Sequence, residues 1–226
     1  MKDGLLPCVE VQVGSDPQAS VIWLHGLGAN GHDFEPLVPQ LVLPGARALR
    51  FVLPHAPVRA VSMNGGVRMP AWYDIRTLDA EGVLTVQDDA GVRASAALVQ
   101  ALIQQELARG VPSRRIALAG FSQGAAMALF TALRFGQPLA GIVALSGYMP
   151  LASSFAAERS PANGTTPIFL AHGSADPVVD PQLALRTRAL LEEASYPVEW
   201  HSYAMGHEVC MPEVADIARF LQRVLP

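Results

Sequence analysis

The sequence predicts an α/β fold in which a mostly parallel central sheet carries helices on both faces. Three observations lead there. Strand-like and helix-like segments alternate almost to the end of the chain, which is the order that produces a parallel sheet. Several strand candidates are short, continuous apolar runs, as expected for strands buried on both faces. Half of the 226 residues are hydrophobic and only 16% are charged, enough apolar material for a large core and too little charge for extensive disorder. The length suits one domain over residues 1–226, and no internal repeat or linker interrupts it.

The elements follow in order. Residues 9–13 alternate apolar and polar side chains, as a half-exposed edge strand does. Residues 21–24 form a continuous apolar run and predict a buried strand. A helix over 34–42 is limited by Pro36 and Pro39, and the next strand, 49–53, is closed by Pro54. Residues 55–86, rich in Gly and Pro, read as one long irregular connection of the kind that tends to be functional. The clearest helix spans 88–109. Val92, Ala96, Val99, Ile103 and Leu107 share one face, acidic residues open it and Gly110 ends it. A strand at 116–119, a helix beginning near 125 and a strand at 142–145 come next, then a second irregular stretch over 148–167. A strand at 168–171, a helix at 181–194, an alternating strand at 198–203 and an amphipathic helix at 213–225 complete the chain.

Function is most visible at Gly120-Phe121-Ser122-Gln123-Gly124. This Gly-x-Ser-x-Gly pattern lies between a buried strand and a helix, which is the nucleophile elbow of α/β-hydrolases, with Ser122 Oγ exposed at a sharp apex. A serine hydroxyl is a poor nucleophile near neutral pH, so it needs an imidazole base and an acid that orients that base. In this fold the partners follow in the order Ser, acid, His. Asp176 follows the strand at 168–171, and His207 follows the strand at 198–203. Asp180 is the alternative acid. Asp176 lies nearer the carboxyl end of its strand, where open α/β sheets place their ligands.

An oxyanion needs two donors. The elbow supplies the backbone N–H of Gln123, and the loop His25-Gly26-Leu27-Gly28 after an early strand can supply that of Leu27. A phosphate cradle is conceivable for the same loop, but the Gly-Lys-Ser/Thr ending is missing. His25, His32 and Asp33 lack a third ligand at metal-site spacing, and no cofactor is implied. Cys210 is a poor rival nucleophile because it has no elbow. Trp72 reads equally as a core aromatic pinning the 55–86 segment or as a wall of an acyl pocket. Met69, Met63 and Leu78 are further candidate walls.

Together, His25-Gly26-Leu27-Gly28, the elbow with Ala125 and Ala126, His172-Gly173 with Asp176-Pro177-Val178-Val179, and Gly206-His207 resemble the bacterial carboxylesterase and acyl-protein thioesterase family, also called phospholipase/carboxylesterase. Asn64-Gly65-Gly66 and Ala71-Trp72-Tyr73-Asp74 are similar to the family's loop beside the active site. The resemblance implies an α/β-hydrolase fold without a large cap domain. It also implies a triad at Ser122, Asp176 and His207, and oxyanion amides at Leu27 and Gln123. The expected substrates are carboxylic esters or thioesters of short to medium acyl length, with a maximum at about four to ten carbons. The alternative is a lysophospholipase or acyl-protein thioesterase acting on longer chains, and behind it a non-catalytic ligand-binding protein of the same fold.

A net charge of −4 with no basic block argues against nucleic acid as a partner. Neither a signal peptide nor a membrane-spanning run is evident, and two cysteines far apart in sequence read as free thiols, so a cytoplasmic protein is expected. The oligomeric state stays open, a homodimer included.

Overall fold

The computed structural model describes residues 5–43, 45, 47–76 and 87–225. In chain order the elements are β1 (Cys8–Val13), β2 (Ala19–Leu24), β3 (Leu49–Pro54), β4 (Val58–Val61), β5 (Val67–Pro70), α1 (Asp89–Ala108), β6 (Ile116–Phe121), α2 (Gln123–Arg134), β7 (Gly141–Leu145), α3 (Ala152–Glu158), β8 (Ile168–Gly173), α4 (Pro181–Glu193), β9 (Val198–Tyr203) and α5 (Met211–Val224). Seven of the strands form one sheet in the order β1-β3-β2-β6-β7-β8-β9. Only the edge strand β1 runs antiparallel, against β3; the other pairings are parallel. This is an α/β-hydrolase fold.

Alternation along the strands divides the core in two. Ile22 and Leu24 of β2, Leu118 of β6 and Ala144 of β7 point to the face covered by α1, α2, α3 and α4. Val21 and Trp23, Ala117 and Ala119, Val143 and Leu145 point to the other face, beneath α5. Helix α5 meets it with Val214, Ile217, Ala218 and Leu221, a helical stripe. Helix α2 is buried almost all round, and its alanines allow it to lie close to the sheet. The chain leaves β2 for β3 on one side and returns to β6 on the other. The carboxyl ends of β2 and β6 therefore flank a topological switch point, where such sheets leave a crevice.

Three segments depart from the sequence-based expectation. The helix expected over 34–42 is a 3-10 turn, Glu35–Gln40, because Pro36 and Pro39 deny it the amides of an α-helix. The stretch 55–86 is not wholly irregular: β4 and β5 pair as an antiparallel hairpin, each strand too short to show a period. The stretch 148–167 contains the seven-residue helix α3. Among the described residues no helix is long and apolar enough to cross a membrane.

Candidate active site

Strand β6 turns directly into α2 at Ser122, whose φ of 55° and ψ of −120° are costly for a residue with a side chain. The turn is this sharp because both flanking positions lack a Cβ. A Cβ on Gly120 would stand 2.3 Å from the Gly124 carbonyl carbon, and one on Gly124 would stand 2.1 Å from the Leu24 carbonyl oxygen. The Ser122 amide donates to the Leu145 carbonyl of β7 at 2.8 Å, which fixes the apex to the sheet.

Loops after β8 and β9 bring the other two residues to the serine. His207 Nε2 lies 3.0 Å from Ser122 Oγ, and His207 Nδ1 lies 2.7 Å from Asp176 Oδ2. A carboxylate only accepts, so Nδ1 carries the hydrogen and Nε2 is left to accept from the hydroxyl. Asp176 is buried, and its Oδ1 accepts the amides of Val178 at 2.8 Å and Val179 at 2.9 Å. Asp180 lies on the same cleft, but its carboxylate caps α4 through the Gln182 amide at 2.8 Å. The phenyl ring of Phe121 stands 4.8 Å, centre to centre, from the His207 imidazole.

Leu27 and Gln123 line the same cleft as Ser122. Among the described residues neither amide donates to a loop or turn carbonyl, which leaves both available at the mouth of α2. The cleft encloses about 690 Å³, within the roughly 300–1,000 Å³ usual for small-molecule sites. Its walls include Met63, Tyr73, Ile75, Tyr148, Val179 and Leu183.

Of the substrate-contact candidates, Trp72 is fully buried and stands behind the wall. Its indole N–H donates to the His25 carbonyl at 2.9 Å and its amide to Gln123 Oε1 at 2.8 Å. Met69 is also off the cleft, packed toward Gly28 and Asn64. Hydrophobicity led to both and also to Met63, which does line the cleft, beside Tyr73 and Ile75 of the same segment. Leu78 lies outside the described residues. His25 and His32 do not converge on a metal-binding geometry. His25 donates from Nδ1 to the Gly26 carbonyl and accepts the Ala56 amide at Nε2, while His32 pairs with Glu35. Burial lowers the His25 imidazole below its usual range, which keeps it neutral.

Several contributors were not picked out from the sequence. The Gln123 side chain bridges Trp72 and the Tyr73 carbonyl, tying the elbow to the segment that carries the cleft wall. His172 Nε2 donates to the Val179 carbonyl at 2.9 Å and lies 3.3 Å from Asp176 Oδ2. Burial lowers its pKa, which keeps the ring neutral, with its single N–H directed to Val179. The only sequence signal for His172 was its place in the His-Gly motif ahead of Asp176.

The sequence profile of the Phospholipase/Carboxylesterase family matches residues 6–225. The chain belongs to that family. An acyl-protein thioesterase 1 from Neurospora crassa is 44% identical over 214 residues, covering 92% of this chain and 87% of that protein. One from Mycosarcoma maydis is 37% identical over 94% of both chains. These family members are fungal, so the resemblance extends beyond bacterial proteins. Among solved structures, Zea mays acyl-protein thioesterase 2 superposes with a TM-score of 0.82 at 31% identity, over 96% of this chain and 99% of that one. Arabidopsis thaliana SOBER1 superposes at 0.86 and 29%, over 92% and 99%. A Bacillus cereus carboxylesterase, at 21% identity and a TM-score of 0.74 over 96% and 94%, shares the fold. As a family member the chain is a hydrolase of the carboxylic-ester class.

Proposed function

We propose that the chain, folded as one domain, is a serine hydrolase that releases acyl groups from thioesters and esters, with Ser122 as nucleophile, His207 as base and Asp176 as orienting acid. The observation that carries this reading is the continuous chain of hydrogen bonds from Ser122 Oγ through His207 to Asp176, all three lining the cleft. Ser122 Oγ attacks the acyl carbon as its proton passes to His207 Nε2. Charge developing on the carbonyl oxygen meets the amides of Leu27 and Gln123. Collapse expels the thiol or alcohol, which takes the proton from His207. Water, activated by the same imidazole, then attacks the acyl-enzyme and frees the carboxylic acid.

The relatives' names favour thioester-linked acyl chains ahead of the simple short-chain esters that the sequence put first. The reaction is assigned to the cytoplasm, where the free thiols Cys8 and Cys210 persist. A net charge of −4 makes nucleic acid an improper partner.

Two measurements test the reading. A fluorophosphonate probe should label wild-type protein at Ser122 and leave Ser122→Ala unlabelled, while the variant keeps its thermal transition and loses several orders of magnitude in turnover. Near-wild-type hydrolysis by Ser122→Ala would sink the mechanism. A series of thioesters and esters of graded acyl length then ranks the substrates. A sixteen-carbon chain cleaved faster than an eight-carbon one would favour a deacylase of long chains, and a maximum at about four to ten carbons a medium-chain hydrolase.

A further inference from the structure

The lining of the cleft divides by exposure. Asp33, Met63 and Val178 are exposed at its rim, whereas Tyr73, Ile75, Tyr148, Val179 and Leu183 are buried or half-buried. The last three of these pack with Ile75 and Tyr73 against the core on the α1–α2 face. Desolvation favours the apolar part of a substrate against this buried wall and leaves a polar leaving group at the rim.

Two hydroxyls interrupt the buried wall. Tyr73 and Tyr148 are only 4% and 8% exposed, and their hydroxyl oxygens lie 2.7 Å apart. Two hydroxyls carry two hydrogens, and the bond between them uses one. The second has no acceptor among the described residues. A buried hydroxyl hydrogen is costly without an acceptor, and both side chains stand on the cleft wall, so an acceptor placed in the cleft would satisfy it. Burial raises both phenols, Tyr148 to about 12, so each remains a protonated donor at any ordinary working pH.

We propose that the Tyr73–Tyr148 hydroxyl pair donates a hydrogen bond to the acyl chain, so that the site selects acyl groups bearing an oxygen acceptor over plain alkyl chains of equal length. The acceptor is a hydroxyl, keto or ether oxygen. The inference rests on the acyl-hydrolase reading above. A plain chain laid on this wall strips water from the pair and returns nothing, whereas an oxygen at the right carbon replaces that water.

The test compares octanoyl thioesters with isomers carrying a hydroxyl or keto group at successive carbons, all with one leaving thiol. For each, kcat/KM is divided by that of the plain chain. At one position this ratio should be about five- to tenfold higher in wild type than in Tyr73→Phe/Tyr148→Phe, the worth of one net hydrogen bond. The double variant keeps both rings and loses both hydroxyls. Each single variant leaves one hydroxyl with a free hydrogen and should retain part of the preference. Because both substrates are measured on one preparation, any misfolded fraction cancels, and the electronic effect of the added oxygen is common to both enzymes. Equal ratios in wild type and double variant at every position overturn the proposal. Failure of all the thioesters to turn over, with no labelling of Ser122, would instead remove the hydrolase reading.

Discussion

One oxygen of Asp176 accepts two amides, and the other faces two imidazoles, His207 at 2.7 Å and His172 at 3.3 Å. Such a carboxylate has one orientation open to it, and that orientation sets the tautomer of His207. Asp176→Asn preserves the shape but presents an amide donor where an acceptor is needed. Turnover is expected to fall by roughly 10⁴ with little change in thermal stability. Asp180→Asn should change activity less than about twofold, because asparagine also caps a helix and the Asp180 carboxylate serves α4. Steady-state kinetics on the two variants tests the assignment, and the reverse ranking would transfer the acid role to Asp180.

The elements are held in register by a few close contacts at their ends. The end of β5 and the short segment after it are tied to both candidate oxyanion loops. Gly28 donates to the Pro70 carbonyl, Trp72 to the His25 carbonyl and Gln123 to the Tyr73 carbonyl. At the other side of the cleft, the end of β8 packs directly on the loop that carries His207. A Cβ on Gly173 would stand 2.2 Å from the Gly206 carbonyl oxygen and 2.6 Å from that of Met205. Backbone cannot yield there without moving the neighbouring histidine. Gly173→Ala is expected to cost about 1–3 kcal/mol of stability, as overpacking does, and to lower kcat much further than the folded fraction explains. Denaturant melts alongside single-turnover rates would check this, and a fully active variant would show that the loop moves without carrying His207.

For the molecule as a whole, Glu213 is a liability that depends on pH. It lies in the first turn of α5, fully buried, with neither carboxyl oxygen bonded to a side chain or backbone partner among the described residues. Burial pushes this carboxyl up to about 8; the nearby Cys210 amide opposes the shift and Asp216 adds to it. An unfolded glutamate loses its proton near 4.5, so between 4.5 and about 8 the folded chain retains a proton that the unfolded chain has released. Stability therefore falls as pH rises across that window and levels off above it, by at most roughly 5 kcal/mol. Glu213→Gln should flatten this slope and leave the variant the more stable protein at pH 8–9. Melting temperatures from pH 5 to 9 would show it, and parallel curves for the two proteins would mean that Glu213 ionises freely in place.

Strands buried on both faces were readable as continuous apolar runs, and the elbow was readable because its glycines sit beside the serine they serve. The four-residue strands β4 and β5 and the seven-residue α3 were not, since neither spans enough residues to display a period. Nor could hydrophobicity tell that Trp72 stands behind the cleft while Tyr73, its neighbour, faces it. That distinction follows from the Gln123 bridge, across 51 and 50 positions of chain. Ser122 meets His207 across 85 positions, and Tyr73 meets Tyr148 across 75. Local sequence carries backbone sterics and the periodicity of burial, which act within a few residues. Which side chains share a hydrogen bond at the switch point depends on how seven strands and their helices pack together, and that is a property of the assembled sheet.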